Sequence, residues 1–115
     1  MPLHARIEQA LYRHLEHIDS PSAPPQLVRA IHHAVFPGGA RIRPQLCMAV
    51  ALACGDDAPE LTDAASVAIE LMHCASLVHD DMPCFDDAST RRGQLSVHKA
   101  FGEPLALLSG AGIVK

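Results

Sequence analysis

The sequence predicts an all-α fold, on three observations. Apolar residues recur at intervals of three and four through most of the chain, the spacing of one face of a helix. Hydrophobic residues make up 49% of the 115 positions, yet there is no Trp, one Tyr and three Phe. That is the aliphatic filling of packed helices. No stretch shows the β-branched alternation that marks a strand.

Taken in order, Ile7, Leu11, Leu15 and Ile18 predict a first amphipathic helix over about Leu3 to Ile18. SPSAPP, Ser20 to Pro25, cannot continue it and reads as a linker over about residues 20–25. Leu27, Ile31 and Val35 predict a short second helix that Pro37, Gly38 and Gly39 stop. Pro44 suits the first turn of a third helix, which runs to Cys54 and ends at Gly55. After the polar DDAPE, a long helix is expected from about Thr62 to Met82, distorted or ended by Pro83. An irregular charged loop to about Leu95 precedes a short helix near Val97 to Phe101 and the apolar segment PLALLSGAGIVK.

Bulk properties remove several classes of function. A formal net charge of −4 without a basic run argues against a nucleic-acid partner. No apolar stretch is expected to reach the ~18–20 residues of a membrane span, and MPLHARIEQ is too regularly charged for a signal peptide. Cys47, Cys54, Cys74 and Cys84 have no CxxC spacing and read as free thiols of a reducing cytoplasm, so the expected location is cytoplasmic. The eight histidines form no zinc pattern with the cysteines.

The chemistry concentrates in ELMHCASLVHDDMPCFDDASTRRG, Glu70 to Gly93. On a helical wheel the long helix looks buried nearly all round, through Val67, Ala68, Ile69, Leu71, Met72, Cys74, Ala75 and Val78. Ser66, Glu70, His73 and Asp80 share one narrow polar stripe. Such a stripe is either a set of core polar groups bonded to neighbouring helices or the wall of a ligand cavity. Asp80, Asp81, Asp86 and Asp87 at its end, followed by Arg91 and Arg92, favour the cavity. Clustered carboxylates repel unless cations sit among them, and Mg²⁺ takes one or two carboxylates while keeping room for water and phosphate oxygens. Guanidinium groups clamp phosphate. In a regular helix Asp80 and Asp86 would point about 120° apart, so Pro83 must bend the backbone if both serve one ion. Together these groups read as a diphosphate site backed by a greasy helix for a hydrocarbon tail.

These residues also resemble a known family. DDMPCFD, Asp80 to Asp86, looks like the first aspartate-rich motif of trans-polyprenyl diphosphate synthases. RRG at Arg91 to Gly93, VHKAFGE at Val97 to Glu103 and GGARIRP at Gly38 to Pro44 follow the family's order, and ELMHCASLVHDD is similar to bacterial geranylgeranyl diphosphate synthases. The resemblance implies that residues 1–115 are the N-terminal portion of one polyprenyl synthase domain, an incomplete isoprenoid synthase helical bundle. It implies Mg²⁺-dependent condensation of isopentenyl diphosphate with an allylic diphosphate, to geranylgeranyl diphosphate. Carried over by position, Asp80 and Asp86 hold Mg²⁺ with Asp81 and Asp87 in support, and Arg91 binds the allylic diphosphate. Arg43, His73 and Arg92 bind isopentenyl diphosphate, while the small Ala75 and Ser76 sit where the family limits product length.

The sequence departs from the pattern at three places. Ala40 replaces the lysine of GGKR, at a cost of about 1.5–3 kcal/mol in isopentenyl diphosphate binding, roughly tenfold to a hundredfold. Ala88 and Ser89 end the acidic run, and Ala111 stands where LxGDAL has Asp. The second aspartate-rich motif of the family is absent from these 115 residues, so this chain alone is expected to be inactive. A non-catalytic subunit or degenerate remnant that binds a full-length synthase is the alternative, and a homodimer or such an association is the expected assembly.

Overall fold

The computed structural model describes residues 2–16, 21–36 and 38–113. Six helices carry the architecture: α1 (Leu3–Glu16), α2 (Pro25–Val35), α3 (Ile42–Ala53), α4 (Pro59–Asp80), α5 (Val97–Phe101) and α6 (Glu103–Ile113). Helices α2 and α4 each open on a proline, which loses nothing by lacking an N–H in the first turn and arrives with a helical φ. The linker therefore ends one residue earlier than the composition suggests, and α4 begins at Pro59 rather than Thr62. Ile18 of the first expected helix and Ser20 of the linker lie outside the described residues.

Helix α4 is the axis, with α1, α2, α3 and α6 packed against it. Its buried positions are Ser66, Val67, Glu70, Leu71, Cys74, Ala75 and Val78, a single stripe two residues wide. This corrects the expectation of burial all round: Ala68, Ile69 and Met72 are exposed, because the described elements cover one side of the helix only. The wheel registers where apolar side chains point, not whether a neighbour meets them. The core beneath that stripe combines Ile7 and Leu11 of α1, Val35 of α2, Met48 of α3 and Ile113 of α6. A second cluster, Ala30, Val78, Met82, Val97 and Ala106, underlies the aspartate-rich turn. By length and composition α4 is long and apolar enough to cross a membrane, contrary to the reading of the sequence, but here its buried stripe is a bundle core.

A strand pair appears where only a loop was expected. Strands β1 (Thr90–Arg91) and β2 (Gln94–Leu95) pair antiparallel, Thr90 opposite Leu95 and Arg91 opposite Gln94. The connecting Arg92 and Gly93 both take left-handed backbone, φ 54° and 80°. Two consecutive positive φ values are what a two-residue hairpin turn matched to strand twist requires. Arg-Gly is an uncommon choice for that turn, so the usual Asn-Gly or Asp-Gly signal was missing. The apolar segment after Gly102 forms α6, with Ala106, Ser109, Gly110 and Ile113 buried.

Candidate active site

The aspartates lie where α4 stops. Pro83 cannot donate to the helix ladder, and the chain folds back over the C-terminus. The amide of Asp86 donates to the carbonyl of Asp80 at 2.9 Å, that of Asp87 to Met82 at 3.0 Å, and that of Ala88 to Asp81 at 3.0 Å. These bonds satisfy carbonyls that a helix end leaves open. They also bring the backbones of Asp80 and Asp86 together, meeting the bend that a shared ion requires. Both residues are exposed, and among the described residues neither carboxylate has an ion-pair partner within 4 Å. They sit at the negative end of a 22-residue helix dipole, which favours a cation there.

Asp81 plays a different part. It is 2% exposed and accepts two bonds from Arg91, Nη2 to Oδ1 at 2.6 Å and Nε to Oδ2 at 3.1 Å. This bidentate bond, with the charges of Asp81, Asp80 and Asp86, outweighs desolvation and raises the Arg91 guanidinium above its ordinary range. Arg91 keeps other N–H donors and about a third of its side chain in solvent. Asp87 takes left-handed backbone and stands 3.4 Å from His98 Nε2, without hydrogen-bond geometry. His98 in turn contacts Ser96 Oγ, which donates to the Ala88 carbonyl at 2.6 Å and closes the loop.

A second cluster lies about 10 Å back along α4, seven residues at 1.5 Å each. Arg43 Nη1 and His73 Nε2 are 3.2 Å apart, and Arg92 lies over Gly39, where an added Cβ would come 3.1 Å from its Nε. Arg43, His73 and Arg92 border a cavity of about 90 Å³, with Ala40, Arg41, Ile42 and Glu70 completing its wall. Partial burial, then the charge of Arg43, depresses the His73 pKa, with Glu70 opposing and Arg92 and Arg91 adding to the effect. A neutral imidazole can accept the Arg43 hydrogen bond. The hairpin thus divides its two arginines, Arg91 to the aspartates and Arg92 to the glycine turn.

The polar stripe splits likewise. Ser66 and Glu70 are buried, and Glu70 both faces Arg41 at 3.7 Å and lines the cavity that His73 borders. Glu70 fits both readings, paired with Arg41 yet on the cavity wall; the buried Ser66 Oγ has no hydrogen-bond partner among the described residues, and His73 and Asp80 reach the open side. Ala75 is enclosed in the core while its neighbour Ser76 is exposed, so the two do not share a wall.

With this geometry in hand, comparison with known proteins gives a consistent result. The sequence profile described as Polyprenyl synthetase matches residues 24–114. The chain belongs to that family. It is 58% identical over 114 residues to a geranylgeranyl diphosphate synthase of Rhodobacter capsulatus, covering 99% of this chain and 39% of that protein. A farnesyl diphosphate synthase of Geobacillus stearothermophilus is 39% identical over 94% of this chain and 35% of its own length. Among solved structures, a geranyltransferase from Legionella pneumophila superposes with a TM-score of 0.87 at 42% identity, covering 97% of this chain and 38% of that one. The chain therefore spans about two fifths of the length of the relatives it matches.

For this polyprenyl synthetase chain, the donor set fits Mg²⁺. No three His, Cys, Asp or Glu side chains converge among the described residues. Mg²⁺ binds through one or two carboxylates and retains waters, and Asp80 and Asp86 offer two unpaired ones. The sequence missed one residue that the structure makes prominent. Arg41, 3% exposed, binds Glu8, Glu70 and the Val35 carbonyl. Its only advance sign was the presence of two acids, Glu8 and Glu70, among apolar helical positions.

Proposed function

We propose that these residues form the diphosphate-handling half of a prenyltransferase that condenses isopentenyl diphosphate with an allylic diphosphate in the cytoplasm. What supports this reading most is the meeting of Asp80 and Asp86 at the end of α4 beside the Arg43–His73–Arg92 cluster. Asp80 and Asp86 would hold Mg²⁺, and the chemistry that ion would supply when bound is neutralisation of the charge developing on the departing diphosphate. The remaining donors of Arg91 bind the allylic diphosphate, while Asp81 fixes the orientation of its guanidinium. Arg43, His73 and Arg92 hold the diphosphate of isopentenyl diphosphate, without the lysine that Ala40 replaces. The allylic C–O bond breaks with both electrons leaving on the diphosphate. The double bond of the second substrate attacks the allylic carbon, and loss of a proton restores an alkene. Exposed Ile69 and Met72, on the stripe that leads through Ser76 to Asp80, offer the hydrocarbon an apolar surface.

Small side chains at Ala75 and Ser76 support a C20 product, in keeping with the name of the Rhodobacter relative. The test is a chimaera in which residues 1–115 replace the matching segment of that synthase. It is expected to make geranylgeranyl diphosphate with Mg²⁺, and Ser76→Phe is expected to shorten the product. Ala75→Phe is the poorer probe, because overpacking an enclosed site costs about 1–3 kcal/mol. The 115 residues assayed by themselves are expected to show no turnover. A chimaera that folds and is inert overturns the reading.

A second reading rests on the exposed faces of α3, Ile42, Leu46 and Val50, and of α4, Ile69 and Met72. Such faces favour association, either as a homodimer or with a longer synthase. Co-elution with the Rhodobacter synthase and an altered product length would favour a non-catalytic partner.

A further inference from the structure

Arg41 has an unusual set of constraints. Its backbone is left-handed, φ 56° and ψ 42°, at the N-cap of α3. A non-glycine residue there costs on the order of 1–3 kcal/mol and persists only where the surroundings over-determine it. They do so here. Nε donates to Glu8 Oε1 of α1 at 2.7 Å, and Nη2 to the Val35 carbonyl at the end of α2 at 2.8 Å. Nη1 lies 3.7 Å from Glu70 Oε1 and 3.9 Å from Cys74 Sγ, both on α4. The Phe36 ring lies 5.7 Å from Cζ. The guanidinium fills the space that a Cβ on Gly38 would need, and the side chain is wholly shielded from solvent. Burial opposes the charge, but the bond to Glu8 and the charges of Glu8 and Glu70 more than offset it and hold the group above its ordinary range.

Its neighbours are the ligand-facing groups. Arg43 is two residues on, in the first turn of α3, and His73 is one turn beyond Glu70 on α4. Joining Arg41 to Glu70 therefore pins the start of α3 against α4 at the level where Arg43 meets His73. Arg92 lies against Gly39 as Arg41 lies against the adjacent Gly38.

We propose that Arg41 is a positioning residue: tied to α1, α2 and α4 at once from within the cavity wall, it fixes the spacing of Arg43, His73 and Arg92. This rests on the proposed diphosphate role of those three groups. A planar fork with donors in three directions is needed, so lysine, a point charge on a flexible stem, is no substitute.

The experiment uses the 115-residue protein and Arg41→Lys, which keeps a positive charge beside Glu70, so the readout follows geometry rather than charge. Two quantities are measured on folded protein: the titration midpoint of the His73 ring by NMR, and the calorimetric affinity for inorganic pyrophosphate. As Arg43 drifts from His73, the midpoint is expected to rise toward about 6.5, and pyrophosphate binding to weaken roughly tenfold. A folded R41K with unchanged midpoint and unchanged affinity overturns the proposal. Should R41K fail to fold, Glu8→Gln on the remote face of α1 weakens the shortest tie and is read the same way. If the parent chain binds no pyrophosphate, the functional reading fails, and the His73 midpoint alone decides on Arg41.

Discussion

At the scale of single residues, the two clusters are set by how each charge is neutralised. Asp81 and Arg91 satisfy each other, and Arg41 is shared by Glu8 and Glu70, whereas Asp80 and Asp86 are left open to a ligand. His73 is the group whose state the fold controls. Its pKa is held below the ordinary value near 6.5 by burial and flanking arginines. The unfolded chain then binds a proton that the folded chain refuses, so stability rises with pH across the interval from the depressed value to about 6.5. Above about pH 7 both states are neutral at this site and the effect ends. In denaturant melts the stability difference between the parent chain and His73→Gln should therefore stop changing with pH above neutrality, with the parent losing more stability on acidification. A parent that loses less would contradict the assignment. The pairing of Asp81 with Arg91 and of Arg41 with Glu8 and Glu70 was not legible in advance, because a sequence shows which charges exist but not which are buried opposite one another; the grouping of Arg43, His73 and Arg92 came from the resemblance. Arg41, in the middle of GGARIRP, looks no different on paper from Arg43.

At the scale of elements, legibility followed the strength of local signals. The helices were readable because apolar spacing and the stops at Pro37, Gly38 and Gly55 agreed with each other. The hairpin was not, since Arg92 adopts a left-handed conformation that arginine seldom advertises. The side of α4 that is covered was hidden too, because its sequence is apolar on nearly every face. Helix α6 shows what packing adds to propensity. A Cβ at Gly110 would overlap the imidazole of His79 on α4. Gly to Ala inside a helix ordinarily gains about 1 kcal/mol. Here Gly110→Ala is expected to destabilise, by about 1–3 kcal/mol, as α6 is pushed off α4. A higher urea midpoint for the variant would show that the two helices are not in close contact.

At the scale of the molecule, the Cα atoms extend over 44 × 32 × 19 Å. The short dimension is less than half the long one, so the bundle is a slab with broad outer faces. That shape explains why Ile42, Leu46, Ile69 and Met72 lie in the open although their helices are core elements. The aspartate turn and the arginine–histidine cavity are joined by the hairpin that carries Arg91 and Arg92. The resemblance read from DDMPCFD, RRG and GGARIRP anticipated the family; the division of labour within the motifs needed coordinates. Central to the account is that Asp80 and Asp86 bind a prenyl diphosphate through Mg²⁺. Calorimetric titration of geranyl diphosphate into the chain, with Mg²⁺ and then with EDTA, tests it most directly. Binding should weaken by roughly tenfold or more without the ion, and equally in the Asp80→Ala, Asp86→Ala double variant with the ion present. Equal affinity under all three conditions would contradict it.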